Sequence, residues 1–212
     1  VFASTKQPLT ELMPLITAAF PHSTTLGAST AGEFIETGDA KSSACIFALA
    51  GDYRIFAGLG TALRASAEQS VAAALEGMPS QVVGYPHRTA ILLLDPLSGS
   101  SEEATLITAA LMGFDLRLAG AAAGDDLALK STQVALGNQV ISDGAIVATI
   151  FSKQPLGVGV CHGHEPLSQP LTVTRAEGSV VHEIDGRPAW DVWVERTRAA
   201  TTKLGFDPTQ IP

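Results

Sequence analysis

The segment Thr89-Ala90-Ile91-Leu92-Leu93-Leu94 constrains this chain most. It is much shorter than the roughly 18 apolar residues of a membrane span. It also lacks the apolar/polar alternation of a strand with one wet face. A strand that is apolar on both sides must be covered on both sides, so the rest of the chain has to supply two covering layers. The material is there: 46% of the 212 residues are hydrophobic and only 16% are charged, which suits a large core and excludes a disordered chain.

The covers can be read on either side of that run. Leu9, Leu12, Met13, Ile16 and Phe20 fall near helical spacing, with Pro14 predicting a late start or a kink. Ser66 can cap a second helix carrying Val71, Leu75 and Met78, with Gly77 as its stop. Ser100 and Glu103 have capping-box spacing for a third, ending near Gly113. Thr24–Ser29 reads as a short strand. Ala44–Ala50 and Tyr53–Leu59 read as a hairpin about Gly51-Asp52, and Gln133–Leu136 and Gln139–Ile141 as another about Gly137-Asn138. Leu116–Ala122, Ala145–Phe151 and Leu156–His162 are further strands. Leu171–Arg175 and Ser179–Ile184 flank Glu177-Gly178, and Pro188 opens a last helix with Trp190 and Trp193 on one side. The expected fold class is α/β in the α+β sense. It has mixed or mainly antiparallel sheets with helices packed outside, and one form of this is a layered αββα sandwich.

Charge and motifs narrow the function. The net charge of −8 and the lack of a basic stripe predict no nucleic-acid partner. No apolar run or signal-peptide pattern predicts a membrane or secreted protein, and two cysteines, Cys45 and Cys161, make no disulfide framework. A cytoplasmic location is expected. There is no G-x-S-x-G elbow, Walker loop or H-E-x-x-H motif.

Small-residue turns carrying polar groups are the candidates instead. In Gly27-Ala28-Ser29-Thr30-Ala31-Gly32-Glu33, small side chains expose backbone N–H groups. Ser29 and Thr30 offer hydroxyls, and Glu33 a carboxylate. The plain alternative is a tight strand exit. Leu118-Ala119-Gly120-Ala121-Ala122-Ala123-Gly124-Asp125-Asp126 combines close-approach glycines with paired carboxylates, suited to an ammonium, a cation or acid/base work, or to a structural turn. His162 and His164 project to one face if extended, a minimal metal or haem-iron arrangement, or are two surface histidines.

These stretches resemble the motifs of the FIST domain family. Gly27–Glu33 is similar to its G-C-S-T-A-G-E turn, with Ala28 in place of Cys. Leu118–Asp126 is similar to its G-G-x-A-G-D-D stretch. Gly163–Leu167 with Pro170–Gly178 resembles G-W-x-P-I…P-L-x-V-T-x-A-E-G, with His164 in place of the usual Trp or Cys. Val181–Ala189 resembles V-x-E-L-D-G-x-P-A. The resemblance implies a bacterial, cytoplasmic, N-terminal sensory domain over residues 1–200. Residues 201–212 would be a linker toward a C-terminal FIST half. The implied partners are a histidine kinase, a chemotaxis protein or a cyclic-dinucleotide output protein.

The leading expectation is therefore a non-catalytic domain that binds a small, amino-acid-like polar molecule. Its candidate ligand-binding residues are Ser29, Thr30, Gly32, Glu33, Gly120, Ala121, Gly124, Asp125 and Asp126. One alternative is a nitric-oxide sensor holding haem b through His162, His164 or His182. Another is an interaction module docking through the Trp190/Trp193 helix. A third is a hydrolase pairing Ser29 or Thr30 with Asp125 or Asp126.

Overall fold

The computed structural model describes residues 1–113, 116–160, 165–178, 180–205 and 207. The chain divides into two compact units, Val1–Val158 and Gly159–Pro212. The first contains, in chain order, β1 (Phe2–Ser4), α1 (Leu9–Ala19), β2 (Leu26–Thr30), the hairpin β3 (Glu33–Ile35) and β4 (Gly38–Ala40), β5 (Ala44–Cys45), β6 (Tyr53–Thr61), α2 (Ala67–Leu75), β7 (His87–Leu94), α3 (Ser101–Met112), β8 (Arg117–Ala122), β9 (Val134–Leu136), β10 (Gln139–Ile141) and β11 (Gly144–Ser152).

Two mixed sheets result. One has the order β10-β9-β2-β1-β5, parallel only between β1 and β2; the other has the order β6-β11-β7-β8, parallel only between β7 and β8. β7 shows why its sequence is apolar throughout. Ile91 and Leu93 face the other sheet, meeting Ala28, Val134, Phe2 and Leu26. Leu92 and Leu94 face the opposite way, onto Val71 and Ala74 of α2 and Ala104 of α3. The five-stranded sheet is covered on its far side by Leu9 and Met13 of α1, packed on Val1, Ala3 and Ala135. The first unit is thus an αββα sandwich, with β11 buried along its whole length.

Helix α2 rides directly on β6. A Cβ at Gly58 would stand 2.1 Å from the Ala74 carbonyl oxygen, and one at Gly60 1.8 Å from that of Ser70. Ser66 caps α2 as expected, accepting the Gln69 N–H at 3.2 Å. The β9–β10 hairpin forms, with Gly137 at φ 56°.

Four local expectations change. Ala44–Ala50 and Tyr53–Leu59 do not pair. Ala44–Cys45 pairs with β1, and β6 pairs with β11 over its full length. Neither Gly51 nor Asp52 takes the positive φ of a two-residue hairpin turn. Asp52 instead accepts from Tyr85 and ion-pairs with Lys153 at 2.5 Å, and these contacts hold its carboxyl down to about 2. Residues 156–160 form no strand, and the Leu156 carbonyl accepts from the Arg117 guanidinium at 2.6 Å; Cys161 and His162 lie outside the described residues. Helix α1 starts at Leu9 and runs through Pro14 rather than after it. Ser100 precedes α3 without a side-chain cap.

The second unit holds β12 (Val173–Glu177), β13 (Val180–Ile184), β14 (Arg187–Pro188) and α4 (Ala189–Leu204). The strands form an antiparallel sheet in that order, with Gly178 at φ 54° in the first turn. On α4, Trp190 and Trp193 stack at 5.2 Å between ring centroids, both exposed.

Candidate functional site

The parallel pair β1/β2 sets Ser4 beside Thr30 where both strands end. The chain leaving β8 crosses the same edge. The Ala123 N–H donates to the Leu94 carbonyl at 2.9 Å, the Gly124 N–H to the Ser29 carbonyl at 2.7 Å, and the Asp126 N–H to the Thr30 carbonyl at 3.1 Å. The two small-residue turns, distant in sequence, therefore meet. Gly124 makes this possible: a Cβ there would lie 2.8 Å from the Ala31 nitrogen and 2.9 Å from the Thr30 carbonyl carbon. Asp126 and Leu127 then take φ of 55° and 65°, which turn the chain away.

The polar groups at this junction are mostly bonded to one another. Glu33 is 4% exposed; Oε1 accepts from the Thr30 hydroxyl, and Oε2 from the Ser43 hydroxyl at 2.6 Å and N–H at 3.1 Å. Oδ2 of Asp126 accepts from the Ser4 hydroxyl at 2.8 Å, the Thr5 hydroxyl at 2.6 Å and the Thr5 N–H at 3.2 Å. Its Oδ1 has no donor among the described residues. Asp125 is buried and points away, accepting the N–H groups of Leu129, Lys130 and Ser131 at 2.6–2.9 Å. The adjacent aspartates thus divide their work: one organises its own loop, and the other, where the chain turns, faces the junction. Ser29 clamps Gln133, accepting its N–H at 2.9 Å and donating to its carbonyl at 3.3 Å. Neither Ser29 nor Thr30 donates its hydroxyl to an aspartate.

All three carboxyls lie below their ordinary values. Burial pushes Glu33 up, but the bonds from Ser43 and Thr30 outweigh it, and the Asp126 charge also opposes ionisation. The Ser131 N–H is the main influence on Asp125, working against burial and helped by Lys130 and Leu129. The Thr5 and then the Ser4 hydroxyl dominate at Asp126, against partial desolvation, with the Lys6 charge adding to them. Two mutually repelling carboxylates are held ionised chiefly by neutral donors. Sequence reasoning missed Ser4, Thr5 and Ser43. The signal available was paired hydroxyl residues, Ser4-Thr5 and Ser42-Ser43, bordering short apolar stretches.

The remaining candidates fall elsewhere. Gly120 and Ala121 lie on β8 and line a hollow of about 310 Å³ beside Ser101 and Thr105 of α3. A cleft of about 1050 Å³ is lined by Tyr85, His87, Arg88 and Arg117, and an apolar slot of about 240 Å³ lies between the sheets. None of these three is lined by residues 29–33 or 123–126. His162 and His164 lie outside the described residues. His182 is half-buried on β13, its Nε2 3.9 Å from the Glu177 carboxylate, while Val180, Val181 and all of β12 are exposed. Among the described residues no three His, Cys, Asp or Glu side chains group to hold a metal ion, and no helix is long and apolar enough to cross a membrane.

The sequence profile of the FIST N domain matches residues 1–187, which takes in the whole αββα unit and the strands β12 and β13. The chain belongs to the FIST N domain family. FIST domains are sensory domains thought to bind small ligands in signal transduction. An uncharacterised protein of Methanocaldococcus jannaschii is 34% identical over 90 residues, covering 42% of this chain and 17% of that protein. This FIST N domain thus spans less than a fifth of that relative's length.

Proposed function

We propose that this FIST N domain is a non-catalytic sensor for a small, amino-acid-like polar molecule, and that it signals to an output module in the same protein or a partner. The ligand's ammonium group goes to Oδ1 of Asp126, with the Glu33 charge behind it. Its carboxylate goes to Lys6, whose Nζ now donates to the Ser42 hydroxyl at 3.1 Å. Ser29, Thr30, Gly124 and Asp125 hold the junction in shape, and Gly32 lies in the turn between Thr30 and Glu33. The observation that carries this reading is the unspent Asp126 oxygen at a doubly anionic junction whose hydrogen bonds all come from neutral donors. A cation there relieves the repulsion between the two carboxylates. It also joins the ends of β1 and β2 to the loop leaving β8, so binding biases how these three segments sit together.

Calorimetric titration with a panel of amino acids tests the reading. We expect saturable heat with at least one, a weakening of tenfold or more in Asp126→Asn, and none with its N-acetylated form, which lacks the ammonium. Absence of heat across the panel, or equal binding of the acetylated form, contradicts it.

A further inference from the structure

At the opposite ends of β1 and β2 the two sheets fail to close. The slot of about 240 Å³ there is walled by Phe2 and Leu26 from one sheet and by Ile91, Leu93, Ala148 and Ile150 from the other. No acidic or basic side chain lines it. Close-packed interiors rarely leave such a gap, because an unfilled apolar volume lowers stability in proportion to its size. The mouth is formed by the α1–β2 loop and by residues 46–49, which have no regular structure. Large apolar side chains stand exposed around it: Phe20 at 53%, Ile46 at 56% and Phe47 at 76%. Three hydroxyls, Ser23, Thr24 and Thr25, sit on the same rim with no hydrogen-bond partner among the described residues.

We propose that this slot is a second binding site, for a small uncharged molecule with an apolar body and one hydrogen-bonding group. The body enters between the sheets, and the polar group stays at the rim with the Thr25 hydroxyl. Scaled from the roughly 150 Å³ apolar cavity that takes one benzene, the slot holds about ten non-hydrogen atoms. That size suits a bicyclic aromatic or an eight-carbon alcohol. A charged headgroup is disfavoured at depth, because no charged side chain in the lining compensates it, and the one charge there, the Val1 ammonium, already donates to the Leu26 carbonyl at 2.8 Å. The segment 46–49 closes over the occupant and brings its exposed apolar side chains out of water. The site is independent of the ammonium site, lying at the other end of the same strands.

Indole and n-octanol are the probes and naphthalene the apolar control, all titrated by calorimetry into the wild-type chain and two variants. Ala148→Leu fills the slot from the wholly buried centre of β11. Thr25→Val removes the rim hydroxyl at nearly constant volume. We expect both probes to bind wild type and Ala148→Leu to abolish binding while circular dichroism shows a folded protein. Thr25→Val should weaken octanol about five- to tenfold, the worth of one hydrogen bond, while leaving naphthalene, which has no polar group, unchanged. Failure of both probes to bind wild type overturns the proposal, as does binding unaltered in Ala148→Leu. Should Ala148→Leu not fold, Thr25→Val decides: equal loss for octanol and naphthalene, or loss for neither, also overturns it.

Discussion

Gly124 has no room for a methyl group, and that fact joins the two turns. Replacing it with alanine pushes Cβ into the backbone of Thr30 and Ala31, so Gly124→Ala should cost about 1–3 kcal/mol, read from the urea midpoint. Asp125 supports a loop rather than a ligand. Asp125→Ala orphans three N–H groups that can reach water in part and should cost about 1 kcal/mol in the same measurement. The carboxyls of Glu33, Asp125 and Asp126 lie below their ordinary values. The unfolded chain therefore takes up protons before the folded one does. Stability is full above the ordinary carboxylate range, about pH 4, and falls as pH descends through the lowered folded values. Asp125→Asn should flatten that acid slope in unfolding curves. At this scale the sequence marks the residues but not their partners. Ser29, Thr30 and the paired aspartates stand out by type, whereas their bonding to Gln133, Glu33, Ser4 and residues 129–131 follows from strand neighbours distant in the chain.

Elements show the same division. The helices that begin at Leu9, Ala67 and Ser101 are legible because apolar spacing is local, although the end signals hold at Ser66 and Gly113 and not at Pro14 or Ser100. The supposed hairpin at Gly51-Asp52 misleads because an apolar run shows that a segment is buried, not which strand it joins. Ala44–Cys45 finds β1, β6 finds β11, and the apolar residues between them line the inter-sheet slot. The glycines of β6 carry a sharper message that alternation hides. Gly60 lets α2 rest its backbone on the sheet. Gly60→Ala should cost ~3 kcal/mol or more, because the obstacle is the Ser70 carbonyl and not a movable side chain. Gly38→Ala in β4, where nothing lies within 4 Å, should stay within about 0.5 kcal/mol of wild type. Thermal unfolding of the pair separates backbone contact from a general loss of glycine.

Over the whole first unit, one apolar strand with two apolar faces already demands cover on both sides, and the αββα sandwich meets that demand with a second sheet on one face and α2 and α3 on the other. The layering also places the candidate sites. Where β1, β2 and β7 end, polar turns gather; where β1 and β2 begin, the sheets part around an apolar slot. The central claim is that the polar end receives the ammonium of an amino-acid-like ligand. Amide chemical-shift mapping of the isotopically labelled protein, titrated with the amino acid giving the strongest heat or, failing heat, with each of the twenty in turn, tests it most directly. The account predicts saturable shifts confined to residues 4–6, 30–33, 42–43 and 124–126, absent in Asp126→Asn. Shifts that gather elsewhere, or no shift at saturating concentration with any of the twenty, would contradict it.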